Sequence, residues 1–424
     1  MSKLDQRTEL ARLKRRGFLR NSLLSVAALT AGRTGSAEAA SGVLQIPDWS
    51  KQLGSGVGTE PYGKPSIFEK NVIRRFLPLL LPTREASISF CPLQDLHGII
   101  TPNGLFFERH HAGTPKIDPD VHLLVIHGMV NKPLKFTVND LMRFPSISRI
   151  YFLECAGNGA LEQRGTSNNA LQFTHGLLSC AEWTGVPLRL LLNEAGVRKG
   201  AKWLLSEGAD AAALARSFPL DKALDDAMIA YAQNGERLRP EQGYPLRLIL
   251  PGWEGVANVK WLRRLEVGDR PWETREETST YTDLLPTGKA RQFTFIQEAK
   301  SVITSPSPEH PMPGKGYFVI NGLAWSGEGK VKRVDVSFDG GRNWQQARIK
   351  GPVLNKALTR FEIDWQWNGQ QALLQSRVID ETGYVQPSYK QLRKVRGMYS
   401  MYHNNAIQTW MVHSSGEVEN VQIS

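Results

Sequence analysis

A lone cysteine at the end of an apolar segment is the first residue that could do chemistry. Residues 150–154 (Ile-Tyr-Phe-Leu-Glu) are rich in β-branched and aromatic side chains, which predicts a buried strand. The small residues of the following turn, 156–159 (Ala-Gly-Asn-Gly), would leave the sulfur of Cys155 free to meet a ligand. A soft thiolate there suits a transition metal, whereas most free cysteines are small buried hydrophobes. The residues around Cys155 leave both alternatives open.

Basic side chains recur inside segments that are otherwise apolar. Arg109 and His111 lie two positions apart in the expected strand 104–111, so they share one face and could hold an oxyanion. Arg247 and Lys260 each lie in an expected apolar strand, where a charge needs a buried anionic partner. The guanidinium fork of arginine matches phosphate or pyrophosphate. A surface cluster for the first pair and ordinary salt bridges for the second remain the alternatives.

Two further residues are weaker candidates for a binding site. Asp210 ends the turn Glu-Gly-Ala-Asp (207–210), where its carboxylate could accept hydrogen bonds from a heterocycle. Tyr281 lies in a polar loop between two expected domains, where a phenol could donate a proton or a hydrogen bond. Neither residue identifies a site by itself.

An irregular alternation of strands and helices would position these residues. Thr137 is the expected N-cap of a short helix, and an apolar-faced helix over 188–195 should end at Gly196. Further strands are expected at residues 121–128, 203–206, 228–233, 244–250 and 259–267. Because these segments follow no strict βαβ order, we predict an α+β domain with a mixed sheet.

The composition changes near the Ser-Pro-Ser-Pro segment at 305–308, which indicates a second domain. Segments with period-2 alternation follow, at residues 330–338, 344–349, 360–365 and 373–380, with a hairpin signal at 339–341. Short strands of this kind predict an immunoglobulin-like β-sandwich. The expected division is a signal segment at 1–39, an irregular segment at 40–87, the α+β domain at 88–300 and the sandwich at 301–424.

The first 39 residues have the layout of a bacterial twin-arginine signal. Arg15 and Arg16 precede a mildly apolar stretch at 22–31, and an Ala-Glu-Ala cleavage pattern follows at 37–39. The alternative, a disordered basic arm, does not require this order of parts. Twin-arginine export is typical of proteins that fold around a cofactor in the cytoplasm, so we expect a periplasmic protein.

Charge and cysteine content exclude several classes of protein. The formal net charge is +11, and residues 1–39 hold eight basic and three acidic side chains, so the rest is near +6. That mild excess suits anionic substrates or an acidic partner. We expect no nucleic-acid binding and no stable membrane insertion, because the sequence after residue 40 has no basic run interleaved with aromatics and no long apolar run. Three cysteines exclude a disulfide-built fold but leave a Cys91–Cys180 pair open.

Four motifs in order resemble the sulfite oxidase family of molybdenum enzymes, over about residues 88–400. They are Phe-Phe-Glu-Arg-His-His (106–111), Cys-Ala-Gly-Asn (155–158), Tyr-Pro-Leu-Arg (244–247) with Val-Lys-Trp-Leu (259–262), and the dimerisation motifs at 320–327 and 334–341. The resemblance implies a mixed α/β molybdopterin-binding domain of the sulfite oxidase type. It also implies that the immunoglobulin-like β-sandwich after this domain is a dimerisation domain.

The same resemblance implies a role for each candidate residue. Cys155 would ligate the molybdenum of a molybdenum cofactor (Mo-molybdopterin). The residues that would bind this cofactor are Phe107, Arg109, His111, Cys155, Asp210, Gln242, Arg247 and Lys260. The residues that would take part in catalysis are Arg109, His111, Tyr281 and Arg396, the last by its place before Gly397.

The sequence departs from the sulfite oxidases of the family near the metal. Gly159 and Ala160 stand where those enzymes carry an arginine pair, and Gln242 replaces a histidine. Fewer cations would leave a wider and less positive entrance, which disfavours a small free dianion such as sulfite. The chain also contains no heme-attachment motif.

Within the family, the pattern is most similar to the molybdenum subunits of periplasmic sulfane dehydrogenases. This implies oxidation of sulfane sulfur on a carrier protein by oxygen-atom transfer, with electrons passed to a separate c-type, diheme cytochrome. It also implies a homodimer through the C-terminal domain, which becomes a heterotetramer with the cytochrome. A sulfite dehydrogenase with a cytochrome acceptor is the close alternative, and a non-catalytic binding protein is the distant one.

Overall fold

Residues 47–423 are described by the structure, a computed structural model, except residues 55, 59–60, 78–82, 164 and 166–169. The expected signal segment, 1–39, lies outside the described residues. The chain divides into two compact units, Met1–Pro65 and Ser66–Ser424. The described residues of the first unit form one short 3-10 helix, Asp48–Lys51, and are otherwise irregular.

The second unit begins with an α+β region. Its strands are β1 (Arg75–Phe76), β2 (Ile88–Phe90), β3 (Glu108–Arg109), β4 (Leu123–Gly128), β5 (Leu134–Thr137), β6 (Ile147–Glu154), β7 (Leu178–Pro187), β8 (Trp203–Gly208), β9 (Ala215–Pro219), β10 (Met228–Gln233), β11 (Glu236–Arg237), β12 (Arg247–Ile249), β13 (Leu262–Gly268), β14 (Asp283–Leu284) and β15 (Ala290–Arg291). Its helices are α1 (Val138–Met142), α2 (Leu171–His175), α3 (Leu188–Ala195), α4 (Leu220–Asp225) and α5 (Arg275–Thr278). Short 3-10 helices cover Ile67–Glu69, Leu93–Asp95, Asn103–Leu105, Ala160–Glu162, Pro240–Gln242 and Gly255–Ala257.

Two five-stranded sheets form the body of this region in the described part of the chain. One has the order β11-β10-β7-β6, with β12 paired to β10, and is antiparallel throughout. The other has the order β5-β4-β13-β8-β9, in which β4 and β13 run parallel. The parallel pair makes the second sheet mixed, and the predicted α+β fold is confirmed.

Strand β12 lies between two hydrophobic cores. Leu248 belongs to the core that also holds Val186, while the next residue, Ile249, belongs to the core that holds Phe106. Successive side chains of a strand point to opposite faces, so β12 is anchored on both sides. Arg247, the first residue of β12, is held in place by this anchoring.

The two helix boundaries predicted from local sequence are confirmed. Thr137 and Asp140 form a capping box at the start of α1, with hydrogen bonds of 3.1 Å and 2.9 Å between side chains and backbone N–H groups. Helix α3 ends at Gly196, whose φ of 68° is left-handed. Across the described residues, no helix has both the length and the apolar character needed to cross a membrane.

A β-sandwich follows the α+β region. Its strands are β16 (Lys300–Ser305), β17 (Gly316–Trp325), β18 (Val331–Ser337), β19 (Gln345–Gln346), β20 (Arg348–Lys350), β21 (Thr359–Trp367), β22 (Ala372–Asp380), β23 (Thr409–Val412) and β24 (Val418–Val421), with helix α6 (Tyr389–Arg396) before β23. The two sheets have the orders β16-β17-β21-β20 and β19-β18-β22-β23-β24. Every second residue of β21 is buried, as period-2 alternation requires, so the predicted sandwich is confirmed.

Several strands are shorter than the sequence predicts, each for a local reason. The expected strand 104–111 reduces to β3, because the rings of Phe106 and Phe107 stack 5.6 Å apart instead of alternating across a sheet. The expected strand 259–267 begins only at Leu262, because Trp261 has a φ of 54°, and Lys260 therefore precedes β13. The left-handed backbone at Trp261 interrupts the extended chain.

Two other expected strands are shortened by their pairing. The segment 244–250 pairs only over β12, since Pro245 has no N–H to donate to a ladder. The expected strand 344–349 divides at Ala347 into β19, which pairs with β18, and β20, which pairs with β21. The chain crosses from one sheet of the sandwich to the other at this point, which the alternation of residues does not reveal.

Candidate active site

Cys155 directly follows strand β6 and is buried, with 8% of its surface exposed. Its N–H donates to the backbone oxygen of Leu177 at 3.0 Å, which fixes the start of the turn. Burial raises the pKa of the Cys155 thiol, and a backbone hydrogen bond from Gly157 acts in the opposite direction. A metal cation at the sulfur would favour the thiolate strongly, so the position suits a metal ligand.

The other two cysteines lie elsewhere. Cys91 and Cys180 are free thiols that are fully buried in the hydrophobic core, and burial raises the pKa of each to about 12. The pairing left open by the sequence therefore does not occur in this structure.

A cavity with about 610 Å³ of empty space, part of it open to solvent, brings the sequence-predicted residues together. Nine of the ten line it: Phe107, Arg109, His111, Cys155, Asp210, Gln242, Arg247, Lys260 and Tyr281. They lie on or beside strands of both five-stranded sheets and of a three-stranded sheet, β1-β2-β3. Residues that are up to 174 positions apart in sequence thus face one space, which no local pattern could establish.

The guanidinium group of Arg247 is buried and meets only neutral acceptors. Its Nε donates to the backbone oxygen of Asn258 at 3.2 Å, and its Nη1 donates to both oxygens of Gln242 at 3.0 and 3.1 Å. Its carbon Cζ lies 5.3 Å from the centre of the Trp183 ring. Burial lowers the pKa of Arg247 to about 9, so its positive charge lacks a compensating partner among the described residues. A bound anion would supply that partner.

Lys260 is held in a comparable way. Its ammonium donates to the backbone oxygens of Arg109 and Glu241, both at 3.1 Å, and to Nδ1 of His110 at 2.8 Å. Burial lowers the pKa of Lys260 well below its usual value. In the described residues neither Lys260 nor Arg247 forms a salt bridge, so the salt-bridge alternative for these cations does not hold.

Gln242 connects the arginine to the opposite wall of the cavity. Its Nε2 donates to the backbone oxygen of Phe107 at 3.0 Å, while its Oε1 accepts from Arg247. The amide orientation is thereby determined, with the oxygen toward the guanidinium. The glutamine at this position acts as a neutral brace for Arg247.

His111 and Tyr281 form the third wall. Nε2 of His111 lies 3.1 Å from the hydroxyl of Tyr281, and the Tyr281 ring stacks on Tyr402 at 5.0 Å. Burial, with the nearby charge of Arg109, lowers the pKa of His111 to about 3, while burial raises the pKa of Tyr281. Both groups are therefore neutral at neutral pH. The expected oxyanion pair reduces to one cation, Arg109, with His111 as a hydrogen-bonding neighbour.

Asp210 closes the cavity beside the end of β8. The residue is 5% exposed, and its Oδ1 accepts a hydrogen bond from the backbone N–H of Leu214 at 3.2 Å. This bond fixes the turn, and Asp210 is among the residues that line the cavity. The acceptor role predicted for Asp210 fits this geometry.

Three residues singled out from the sequence do not line the cavity. The guanidinium of Arg396 lies 3.0 Å from Glu298 and 3.6 Å from Asp283, so its charge is balanced by two carboxylates in a structural cluster. Neither Gly159 nor Ala160 is among the lining residues. Gly159 has a φ of 83°, and a side chain there would meet the amide of Asn404. The prediction of a wider entrance at these two positions stays a prediction.

Three residues near the cavity were not predicted as site residues from the sequence. His110 accepts from Lys260 and contacts Glu108 with its other ring nitrogen, at 2.9 Å. In the expected strand 104–111 it would lie on the face opposite to Arg109 and His111, and that face was not considered. The buried pair of Arg216 and Glu254 supports Tyr281 from behind, with the guanidinium 5.7 Å from the tyrosine ring. No sequence pattern marks this pair.

The side chains that line the cavity indicate which kind of cofactor would fit there. A thiol, two basic side chains that form no salt bridge in the described residues and a carboxylate line one cavity, which suits a metal carried by a phosphorylated organic cofactor. The fold and the cavity are those of a molybdopterin-binding oxidoreductase. Residues 111–276 match the family model described as the oxidoreductase molybdopterin binding domain, and residues 291–410 match the Mo-co oxidoreductase dimerisation domain.

Comparison of the chain with known proteins supports the same class. It is 33% identical to the sulfite oxidase of Gallus gallus over 327 residues, covering 71% of each chain. It is 34% identical to a nitrate reductase of Nicotiana tabacum over 335 residues, but spans only 36% of that relative. The crystal structure of the sulfane dehydrogenase SoxCD from Paracoccus pantotrophus matches with a TM-score of 0.88 and 52% identity, over 90% of this chain and 98% of that one. The chain belongs to the sulfite oxidase family of molybdenum-cofactor oxidoreductases, which confirms the resemblance inferred from its motifs.

Proposed function

We propose that this chain is the molybdenum subunit of a periplasmic sulfane dehydrogenase, which oxidises sulfane sulfur bound to a carrier protein. The observation that carries the proposal is its 52% identity to a chain of the sulfane dehydrogenase SoxCD over 98% of that chain. Because Gly159 and Ala160 are not among the residues that line the cavity, the substrate assignment rests on this similarity and not on the charge of an entrance.

Different residues of the cavity would bind the cofactor, ligate the metal and orient the substrate. Arg247 and Lys260 would hold the phosphate of the cofactor, since both are basic residues of the cavity that form no salt bridge among the described residues. Asp210 and Gln242 would contact the pterin, and Cys155 would ligate the metal. When bound, the molybdenum cofactor supplies oxygen-atom transfer to sulfur and takes up two electrons. Arg109 would orient the anionic sulfur group, because its charge faces the same space.

Neutral side chains would form the rest of the substrate-binding site. His111 and the Tyr281 hydroxyl share a hydrogen bond in which the hydroxyl keeps its proton, because the pKa of His111 is lowered and that of Tyr281 is raised. Phe107 contributes an apolar surface that excludes water next to Cys155. These roles need a closed and dry site, where each polar contact is stronger than in water.

The proposed partners follow from the same similarity. A c-type, diheme cytochrome subunit would accept the electrons one at a time. The β-sandwich would form a homodimer, in line with the dimerisation domain that residues 291–410 match, and two cytochromes would then complete a heterotetramer. The twin-arginine pattern at residues 15–16 supports a periplasmic location.

A sulfite dehydrogenase that transfers electrons to a cytochrome is the second candidate. The 33% identity to the sulfite oxidase of Gallus gallus favours it, as does the positive charge of Arg109, Arg247 and Lys260 around one cavity. A small dianion depends on such charge for capture.

Steady-state assays with a cytochrome acceptor distinguish the two functions. The protein would be purified from a molybdenum-competent host, and its turnover compared on free sulfite, on a carrier protein bearing sulfane sulfur, and on the same carrier without it. We expect faster turnover on the loaded carrier than on sulfite. Efficient turnover of free sulfite without any response to the loaded carrier would make the protein a sulfite dehydrogenase. Loss of molybdenum from an otherwise folded preparation would contradict both functions.

A further inference from the structure

A fully buried ion pair lies directly beside the candidate metal ligand. Glu154, the residue before Cys155, is 2% exposed, and Lys300, the first residue of the β-sandwich, is also 2% exposed. Their charged atoms Oε1 and Nζ are 3.1 Å apart. The other carboxylate oxygen of Glu154 accepts a hydrogen bond from Nε1 of Trp325, at the end of β17, at 2.7 Å. These two partners of the carboxylate come from the C-terminal domain.

The same contacts extend to the turn that carries the cysteine. Asn158 donates its side-chain amide to Oε1 of Glu154 at 2.9 Å, and its backbone oxygen accepts from Lys300 at 3.3 Å. The N–H of Asn158 closes the turn onto the backbone oxygen of Cys155 at 2.9 Å. Gln297 donates to the backbone oxygen of Glu154 at 3.2 Å. Each end of the turn is thus bound to Glu154 or to Lys300.

A second part of the C-terminal domain holds the middle of the turn. The N–H of His403 donates to the backbone oxygen of Ala156 at 2.8 Å, and the side-chain amide of Asn404 donates to Gly159 at 2.9 Å. Several polar contacts of the turn around Cys155 therefore come from residues after 296, in addition to the hydrogen bonds with Leu177.

We infer that the β-sandwich, beyond any part in dimerisation, positions the metal ligand, and that Glu154 with Lys300 and Trp325 is the group of positioning residues through which it acts. Partners that orient a metal ligand set the direction of its bond to the metal, and their loss typically costs about 10- to 100-fold in affinity or activity. This inference rests on the proposed role of Cys155 as the ligand. It concerns geometry at the sulfur and not the general stability of the fold.

The test compares variants of the full-length, cofactor-loaded protein by the visible absorption of the thiolate–molybdenum bond and by turnover per bound molybdenum. We expect Lys300→Met and Trp325→Phe each to shift the absorption band and to lower turnover per molybdenum by about 10-fold or more. The Trp325→Phe variant loses only one hydrogen-bond donor, so it keeps the test valid if a charge variant does not fold.

Two controls separate positioning from stability. Asp335→Asn disturbs another fully buried carboxylate of the β-sandwich, which pairs with Arg333 at 2.6 Å and with Arg377 at 3.0 Å. It should lower the melting temperature without moving the band. The double variant Glu154→Gln with Lys300→Met removes both buried charges, so its melting temperature should recover relative to either single variant while the band stays shifted.

An unchanged band in Lys300→Met and Trp325→Phe would overturn the inference, and so would a double variant whose band returns together with its stability. A failure of the proposed function would give a different experimental result from a failure of this inference. In that case Cys155→Ser would leave the band and the turnover unchanged, whatever the other variants do.

Discussion

The ammonium nitrogen of Lys260 lies 2.8 Å from Nδ1 of His110. Burial, with the adjacent charges of Lys260 and Arg109, lowers the pKa of His110 to about 2, so the ring is neutral and Nδ1 accepts this bond. Its Nε2–H then donates to Glu108, which pairs with Arg74. This chain of contacts fixes the tautomer of His110 and directs Lys260 into the cavity.

Replacing His110 by phenylalanine should lower cofactor occupancy. The ring volume is kept, but Lys260 loses an acceptor and turns away from the cofactor phosphate, so we expect about a tenfold loss of affinity. Molybdenum and pterin content per protein measure the effect. His175→Phe is the matched control, because His175 is also a buried histidine but lies outside the cavity. Full occupancy in His110→Phe would show that His110 does not position Lys260.

Removing the charge of Arg247 or of Lys260 should lower cofactor binding more than it lowers the rate of the reaction at a bound cofactor. Arg247→Met and Lys260→Met keep side-chain length but cannot bind phosphate, so occupancy should fall while turnover per bound molybdenum changes less. The control is Lys222→Met. Lys222 is a buried cation that lies outside the cavity, and its ammonium is 2.6 Å from the carboxylate of Asp226. It should lose stability and keep its cofactor. If both cavity variants remain fully loaded, these residues do not hold the cofactor.

The Cys155→Ser variant should lose turnover and the absorption of the thiolate–molybdenum bond while the fold persists. A hydroxyl is a harder and weaker ligand than a thiolate, so the metal site changes although the side chain has similar size. Cys91→Ser and Cys180→Ser are the controls. Both residues are fully buried away from the cavity, and we expect a modest loss of stability with activity retained. Normal turnover and an unchanged spectrum in Cys155→Ser would refute the assignment.

Stability of the cofactor-free protein should fall as the pH decreases below about 6.5. His110 and His111 have folded-state pKa values of about 2 and about 3, below that of an unfolded histidine, so at pH 4 to 6 the unfolded chain binds more protons. Melting temperatures between pH 7 and pH 4 measure this dependence. His111→Gln should flatten the curve, whereas His413→Gln, at an exposed site, should not. Identical pH curves for His111→Gln and the unchanged protein would contradict this explanation.

The twin-arginine assignment predicts the fate of the precursor. Changing Arg15 and Arg16 to lysine should leave an uncleaved protein in the cytoplasm, because the export pathway reads the arginine pair. Cell fractionation with immunoblotting measures the distribution. Changing Lys3 and Arg7 to glutamine is the control, since these basic residues lie outside the pair. Periplasmic accumulation of the Arg15 and Arg16 variant would refute the assignment.

Much of this protein could be predicted from local sequence. The strand before Cys155, the capping box at Thr137 and the end of helix α3 at Gly196 follow from side-chain periodicity and turn chemistry, which act over a few residues. The motif resemblance added the family, the cofactor and nine residues that line one cavity. Local propensity was less informative where contacts override it, as at Lys260, which precedes its expected strand.

Tertiary structure alone decided how the charges are balanced. Arg247, Lys260 and Arg396 were all candidate site residues in the sequence, yet only the first two form no salt bridge in the part of the chain that the structure describes, while Glu298 and Asp283 neutralise the third. Such polar contacts join residues that are far apart in the chain. The backbone oxygen of Arg109, for example, accepts a hydrogen bond from Lys260, which is 151 positions away. The sequence by itself determined which groups could act, and the folded contacts determined which of them face the cavity, because burial and charge compensation are properties of neighbours in space.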